Sequence, residues 1–194
     1  MSYFDTVLEY ILPFKENGYK ELDNGARLFG HAPHIAPEAY CHELFMVLGE
    51  NDIDLLETEI KAIVPESYKS FLLNYSNGLR LFVRCLSLYG LRKQQGRDLV
   101  ADAQPLDLQT PNGWEKPKNA QTNHFFIGGY GCDSSKLYMD VDTGKVHYCA
   151  RRDATSLYEW ESFEYMITEE IKRIFSLFDN KGVRLVSSKE TLPV

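Results

Sequence analysis

Three histidines and a cysteine near the N-terminus are the densest candidate for a metal site. They are His31, His34, Cys41 and His42, within the segment H-A-P-H-I-A-P-E-A-Y-C-H. A zinc ion needs three or four such ligands to converge on one point. Pro33 and Pro37 prevent a regular helix here, because proline lacks the backbone N–H that a helix uses. We therefore expect an irregular loop with polar histidines and no bound metal.

Two aspartates on a predicted strand are the second candidate. Asp140 and Asp142 share one face, because strand side chains alternate, and such a pair suits a divalent cation or acid/base catalysis. The similarity to a calcium-binding loop ends at Gly144, since no glutamate follows at the required distance. We expect solvent-facing acids here, and also at Glu159 and Glu161.

A cysteine beside a histidine would suit nucleophilic catalysis. The thiols are Cys132 and Cys149, and the imidazoles are His124 and His147. No acid is placed to orient an imidazole, and the G-x-S-x-G signature of a nucleophile elbow is absent. The glycine-rich residues 128–131 precede a strand, whereas a phosphate-binding loop precedes a helix, so they predict a tight turn. We expect a protein that is not an enzyme and needs no cofactor.

Charge is distributed unevenly along the 194 residues, which have a formal net charge of -7. Residues 1–60 contain twelve acidic and three basic side chains, a net charge of -9, and residues 61–194 contain sixteen and eighteen, a net charge of +2. This acidity disfavours nucleic acid and favours a basic protein partner, although a merely solvated surface explains it equally well. The basic stretch from Arg80 to Arg97 is too interrupted to predict nucleic-acid binding.

The sequence also predicts a cellular compartment. Four widely spaced cysteines without a C-x-x-C pair are typical of reduced, buried thiols. Residues 1–12 lack the basic start and apolar segment of a signal peptide. No apolar run approaches the roughly 18 residues that a membrane span needs. We expect a cytoplasmic protein with no membrane contact.

Four segments have the apolar spacing of amphipathic helices. They cover residues 2–12, 51–63, 65–77 and 162–178. Ser2 caps the first and Pro13 ends it, Asn51 begins the second, and Gly78 provides a left-handed end for the third. The second helix has an apolar stripe that runs to Ile63. Its other faces carry the acids Asp52, Asp54, Glu57 and Glu59.

Alternating apolar residues predict strands in the rest of the chain. The strands cover residues 79–83, 86–88, 124–127, 137–141, 146–150 and 157–160. The turn at residues 142–144 joins two of them into a hairpin with one buried face. Residues 14–48 predict loops with one or two short elements, and residues 94–121 a long loop around Trp114. The order predicts an α+β fold, with an antiparallel sheet flanked by helices.

An ordered series of short motifs resembles the SUKH superfamily. The motifs are I-V-P-E-S-Y-K-S-F-L-L-N-Y-S-N-G (63–78), L-S-L-Y-G (86–90), F-F-I-G-G-Y-G-C-D (125–133) and S-F-E-Y-M-I (162–167). The superfamily joins fungal Smi/Knr-type regulators of cell-wall synthesis, bacterial immunity proteins and SecY-interacting Syd proteins. The resemblance implies a single α+β domain over residues 51–180. We expect an N-terminal extension over residues 1–50 and a tail, loosely ordered, over residues 181–194.

Bacterial members of the superfamily bind and neutralise toxins, so the resemblance implies an immunity protein with a cognate toxin, often a nuclease, as partner. A nuclease presents a basic cleft, which an acidic helix face rimmed by aromatic residues would complement. The candidate partner-binding residues are Asp52, Asp54, Glu57, Glu59, Tyr75, Tyr130 and Asp133. A regulatory or scaffold protein of cell-wall synthesis or secretion is one alternative, and a metal-dependent enzyme is another.

Overall fold

Every strand of the described chain belongs to one antiparallel sheet whose strand order follows the sequence. The computed structural model describes residues 2–93, 96 and 98–194. The strands are β1 (Tyr19–Glu21), β2 (Arg27–His31), β3 (Tyr40–Leu44), β4 (Leu79–Leu81), β5 (Leu86–Leu88), β6 (His124–Tyr130), β7 (Lys136–Asp140), β8 (Val146–Ala150) and β9 (Asp153–Trp160). The helices are α1 (Tyr3–Ile11), α2 (Glu50–Ile60), α3 (Glu66–Asn74), α4 (Leu99–Asp102), α5 (Gln109–Asn112) and α6 (Phe163–Phe175). The predicted α+β fold is confirmed.

Local capping explains where the first and last helices begin. At α1, the Asp5 amide donates to Ser2 Oγ at 3.2 Å, and the Ser2 amide donates to Asp5 Oδ2 at 2.6 Å. At α6, the Tyr165 amide donates to Ser162 Oγ at 3.1 Å. These bonds satisfy amides that have no partner inside the helix. Both predicted starts are confirmed.

One face of the sheet is covered by α1, α2, α3 and α6, and the main core lies between them. We call it the helix-covered face. A row of cross-strand partners on it consists of Phe29, His42, Leu81, Leu86 and Tyr130. Phe71 of α3 and Phe163 of α6 are fully buried above the sheet, with ring centroids 5.5 Å apart.

The opposite face is covered by the chain between β5 and β6, and we call it the segment-covered face. Its cross-strand row contains Leu28, Glu43, Arg80, Ser87, Gly129, Lys136 and Cys149. Residues 94–121, predicted as a long loop, contain α4 and α5. The Asn112 side chain binds the backbone of Phe126 through its amide and its oxygen, both at 2.8 Å. Gln94, Gln95 and Arg97 lie outside the described residues.

The prediction for residues 14–48 is wrong, because this stretch forms a 3-10 helix and the three strands β1, β2 and β3. Each strand has five residues or fewer, β1 is exposed throughout, and β2 contains Gly30 at φ +71°. Short strands with a glycine have a weak local signal, because pairing across the sheet stabilises them. The division at residue 50 stays a prediction.

One strand prediction and one turn prediction are also wrong. Val83 was expected in a strand, but it lies in the β4–β5 turn with Phe82 and Arg84, at φ values of 52°, 43° and 72°. Gly128 and Gly129, expected in a turn, lie inside β6. A Cβ atom at Gly128 would lie 2.5 Å from the carbonyl oxygen of Ser87, so glycine permits the close approach of β5.

The predicted hairpin of β7 and β8 is confirmed. Its expected single buried face is wrong for β7, because residues 136–139 are buried on both faces. The tail at residues 181–194 is mostly exposed, but it is anchored near its end. Arg173 of α6 donates to the carbonyl oxygens of Thr191 at 2.9 Å and Leu192 at 3.2 Å.

Candidate protein-binding surface

Helix α2 has a buried apolar side and an acidic, exposed side. Gly49, in place of the predicted Asn51, begins it, and the Gly49 amide donates to Asp52 Oδ2 at 3.0 Å. Ile53 and Leu56 are fully buried. Because an α-helix has 3.6 residues per turn, the other side chains of α2 lie on the side away from the core. The exposed ones are Glu50, Asn51, Asp54, Leu55, Thr58 and Glu59.

Two of the four predicted acids on α2 serve the fold. Asp52 accepts a hydrogen bond from Lys93 Nζ at 2.7 Å, and this bond and that from Gly49 lower the pKa of its carboxyl group. Glu57 Oε1 accepts from the Val64 amide at 2.9 Å, and so holds the loop between α2 and α3. The structure therefore uses these two carboxylates internally.

Three acids of α2 are exposed, and one of them, Glu50, has its Oε2 atom 3.3 Å from Lys69 Nζ. The other two are Asp54 and Glu59. Within residues 2–93, 96 and 98–194, neither carboxylate forms an ion pair or a hydrogen bond. The nearby Thr58 hydroxyl donates to the backbone carbonyl of Asp54 at 2.8 Å and leaves the Asp54 side chain untouched. Both negative charges face solvent and are available to a partner.

Two apolar side chains lie beside these acids. Leu55 is 50% exposed and Ile63 is 79% exposed. The expectation that Ile63 continues the buried stripe is wrong, because Lys61 adopts a left-handed conformation at φ 59° and ends the helix. Apolar side chains ringed by charge are typical of protein interfaces. We define the α2 outer face as Asp54, Leu55, Glu59 and Ile63.

The other predicted partner-binding residues lie elsewhere. Tyr75 is half-buried at the end of α3, stacked on Phe4 with ring centroids 4.8 Å apart. Tyr130 is 2% exposed, and its hydroxyl donates to Glu170 Oε2 at 2.6 Å. Burial raises the pKa of Tyr130 well above its ordinary value. Tyr130 is a core residue without surface for a partner.

Asp133 is exposed, but it lies far along the sheet from α2. It occupies the turn after β6, where its carboxylate accepts from the Ser135 amide at 2.9 Å. Ile63 borders a cleft with His124, at the beginning of the same strand. A seven-residue strand spans roughly 23 Å. Ile63 therefore lies near the beginning of β6, and Asp133 follows its other end. The structure does not bring Asp133 to the α2 outer face.

The candidate metal ligands of the N-terminal region are dispersed. His31 and His34 are exposed, and His31 Nε2 lies 2.8 Å from the Pro37 carbonyl oxygen. His42 is fully buried among aromatic rings, and burial lowers its pKa to about 3. Among the described residues, no three His, Cys, Asp or Glu side chains are grouped closely enough to hold a metal ion.

The aspartate pair shapes the β7–β8 turn. Asp140 Oδ1 accepts from the amides of Asp142 at 2.9 Å and Thr143 at 3.2 Å. Asn123 Nδ2 donates to both carboxylates, at 3.1 Å to Asp140 and 2.9 Å to Asp142. These bonds are those of an Asx turn, in which the side chain mimics the backbone.

The thiol of Cys149 has an environment opposite to that of a nucleophile. It is buried, and burial raises its pKa to about 12. A reactive cysteine needs a lowered pKa, because the thiolate is the attacking species. His147 Nδ1 lies 2.9 Å from Ser156 Oγ, and the imidazole stacks on Tyr138 at a centroid distance of 4.9 Å. Both residues help to build the sheet.

Comparison with known proteins places these elements in a family. No helix in the described part of the chain has the length and apolarity to cross a membrane. A comparison with individually described proteins found no match. The profile of the SMI1 / KNR4 family (SUKH-1) matches residues 48–169, more than half of the chain, from the start of α2 into α6. The chain therefore belongs to the SMI1 / KNR4 family (SUKH-1), within the SUKH superfamily that its motifs resemble.

Proposed function

We propose that this protein is a cytoplasmic immunity protein that neutralises a cognate nuclease toxin by binding it through the α2 outer face. Membership of the SUKH-1 family supports a role in binding another protein. The observation that carries the proposal is the chemistry of α2, where Asp54 and Glu59 are unpaired within the described chain and flank Leu55. Together with Ile63, they form a surface that suits a basic partner.

The physical argument starts from the substrate of a nuclease. A cleft that binds phosphates carries an excess of lysine and arginine. Opposite charge on the inhibitor speeds encounter and selects the correct partner. Leu55 and Ile63 supply apolar area that a partner can desolvate. Occlusion of the cleft then prevents nucleic acid from entering.

The proposal is tested with the protein encoded next to this gene, purified as a candidate toxin. The variant Asp54→Lys/Glu59→Lys reverses both charges of the α2 outer face. We expect binding at least about tenfold weaker, mainly through slower association, and loss of protection in a growth assay. Circular dichroism should be unchanged, because neither side chain has a partner within the described residues.

The matched control is Glu16→Lys/Glu38→Lys, which makes the same change of net charge at two exposed acids outside α2. It should bind the toxin as the unmodified protein does. An equal loss of binding in both variants would show that the affinity depends only on the net charge of the protein. If the protein inhibits no neighbouring effector, and affinity capture returns cell-wall synthesis or secretion components, the regulatory alternative replaces this proposal.

A further inference from the structure

A basic cleft around Trp114 lies outside the α2 outer face. It is bounded by residues 114–118 on one side and the β8–β9 turn on the other, and has a cavity volume of about 520 Å³. Asn119 links the two sides through hydrogen bonds. Its Nδ2 donates to Asp153 Oδ1 at 2.7 Å, and its Oδ1 accepts from the Ala154 amide at 2.9 Å. The cleft is therefore part of the folded framework.

The cleft combines an exposed indole with four cations. Trp114 is 78% exposed, the second most exposed of the large apolar side chains on the described surface. The cations are Lys116, Lys118, Arg151 and Arg152. The side chains of these four residues form no ion pair and no hydrogen bond with another described residue. A local excess of positive charge on a chain of net charge -7 favours an anionic ligand.

The acid that lines this cleft already faces a lysine. Glu115 Oε2 lies 3.8 Å from Nζ of Lys136, whose side chain is 6% exposed. Burial lowers the pKa of Lys136, and the charge of Arg151 lowers it further, against the opposing effect of Glu115. Burial likewise lowers the pKa of Lys116. An anion in the cleft would favour the charged form of Lys116, which burial disfavours.

The Trp114 cleft shares Lys116 with a neighbouring cleft that includes Ile63 of the α2 outer face. Lys116 also lines a second cleft, of about 450 Å³, that contains Ile63, Val141 and Asp142. Val141 is 50% exposed. Exposed apolar side chains therefore line both clefts, Ile63 and Val141 in one and Trp114 in the other, and Lys116 borders both.

We propose that the Trp114 cleft binds an acidic segment of the same protein partner whose basic surface meets α2. Arginine and lysine bind carboxylates through charge-assisted hydrogen bonds, and tryptophan and arginine are enriched among the residues that dominate interface energetics. A nucleic acid strand fits less well, because its phosphates would extend beyond these four cations over a protein whose net charge is -7. The identification of the ligand as part of a protein rests on the proposed function.

Intrinsic fluorescence measures this binding without the toxin. The chain has two tryptophans, of which Trp160 is 3% exposed, so a change in emission on titration reports Trp114. The probe is a fluorescein-labelled peptide of alternating glutamate and leucine, followed by emission and by anisotropy. We expect saturable binding that weakens with salt, and about tenfold weaker binding by Arg151→Ala/Arg152→Ala. Trp114→Phe should lose the emission change and bind more weakly by anisotropy.

The control variant Lys20→Ala/Lys189→Ala removes two exposed lysines outside the cleft and should bind the peptide normally. Equal weakening in both double variants, or no saturable binding, would overturn the proposal. Tighter binding of an oligothymidylate of equal length would assign the cleft to nucleic acid instead. The peptide assay needs no toxin, so a negative result would not change the outcome of the α2 charge-reversal experiment. A negative result for the α2 variant would likewise not change the outcome of the peptide assay.

Discussion

The two faces of the sheet are stabilised by different kinds of contact. The helix-covered face is closed by aliphatic and aromatic side chains, and its core extends from α1 to α6. The segment-covered face is closed by loops and the short helices α4 and α5, over a row that includes the charged residues Glu43, Arg80 and Lys136. Apolar burial stabilises wherever shapes fit, whereas a buried charge needs a specific partner. The first face therefore supplies stability, and the second depends on individual contacts.

The Arg80 and Glu43 pair illustrates the second case. Arg80 Nη1 lies 2.8 Å from Glu43 Oε2, with side-chain exposures of 1% and 16%. Burial raises the pKa of Glu43 and lowers that of Arg80, although each charge favours ionisation of the other. Loss of hydration thus outweighs the attraction. Arg80 also donates to the carbonyl oxygens of Asp102, at 3.3 Å, and Gln104, and so holds the segment on the sheet.

The largest expected effect is on the helix-covered face. Phe71→Ala removes a fully buried ring with centroids 6.0 Å from Phe4 and 5.5 Å from Phe163. The lost transfer energy and the cavity should lower the free energy of unfolding by about 3–5 kcal/mol. Urea unfolding followed by circular dichroism measures this. The exposed control Leu55→Ala should change it by less than about 0.5 kcal/mol. Similar values for both variants would contradict a tightly packed core.

On the segment-covered face, Arg80→Met should lower the free energy of unfolding by about 3 kcal/mol, because it leaves the Glu43 carboxylate buried without its cation. The double variant Arg80→Met/Glu43→Leu should recover most of this loss, since apolar residues avoid the cost of desolvating charge. Chemical denaturation of both variants tests the comparison. If the double variant is as unstable as the single one, the ion pair itself stabilises the fold, and the two faces do not differ in the way that their composition suggests.

A smaller effect on stability is expected from the imidazole of His42, which lies on the helix-covered face. Rings of Phe14, Phe82 and Phe175 surround His42 at centroid distances of 4.5, 4.5 and 4.9 Å. Its pKa is about 3 in the folded state against 6.5 for an unperturbed histidine, so the unfolded chain binds an extra proton between these values. Stability should fall as pH falls from 6.5 toward 3, by about 2 kcal/mol between pH 7.5 and 5.

The variant His42→Phe should lose this part of the pH dependence. Unfolding free energies measured at pH 7.5 and pH 5 give the difference, with His34→Ala as the exposed control. Parallel pH profiles for His42→Phe and the unmodified protein would show that His42 is protonated in the folded state, contrary to its aromatic surroundings.

Elements with local signals were predicted correctly. Ser2 and Ser162 cap their helices through bonds that span three residues, and the turn at residues 142–144 closes its hairpin with similarly local bonds. Strands β1 to β3 were missed, because their stability comes from pairing between distant parts of the chain. The candidate surface shows the same division. Its acids were identified from the sequence, but contacts with Lys93 and Val64 decide which of them already have a partner within the fold.

The sequence by itself determined the α+β class, the family and the acidic character of α2, since apolar periodicity, capping and net charge are properties of neighbouring residues. Only the tertiary structure decided that Tyr130 is buried on Glu170, that Ile63 is exposed, and that Trp114 lies beside Arg151 and Arg152. Each of these outcomes depends on contacts between distant segments, such as the Asn119 bonds to β9. Local sequence patterns do not predict such contacts.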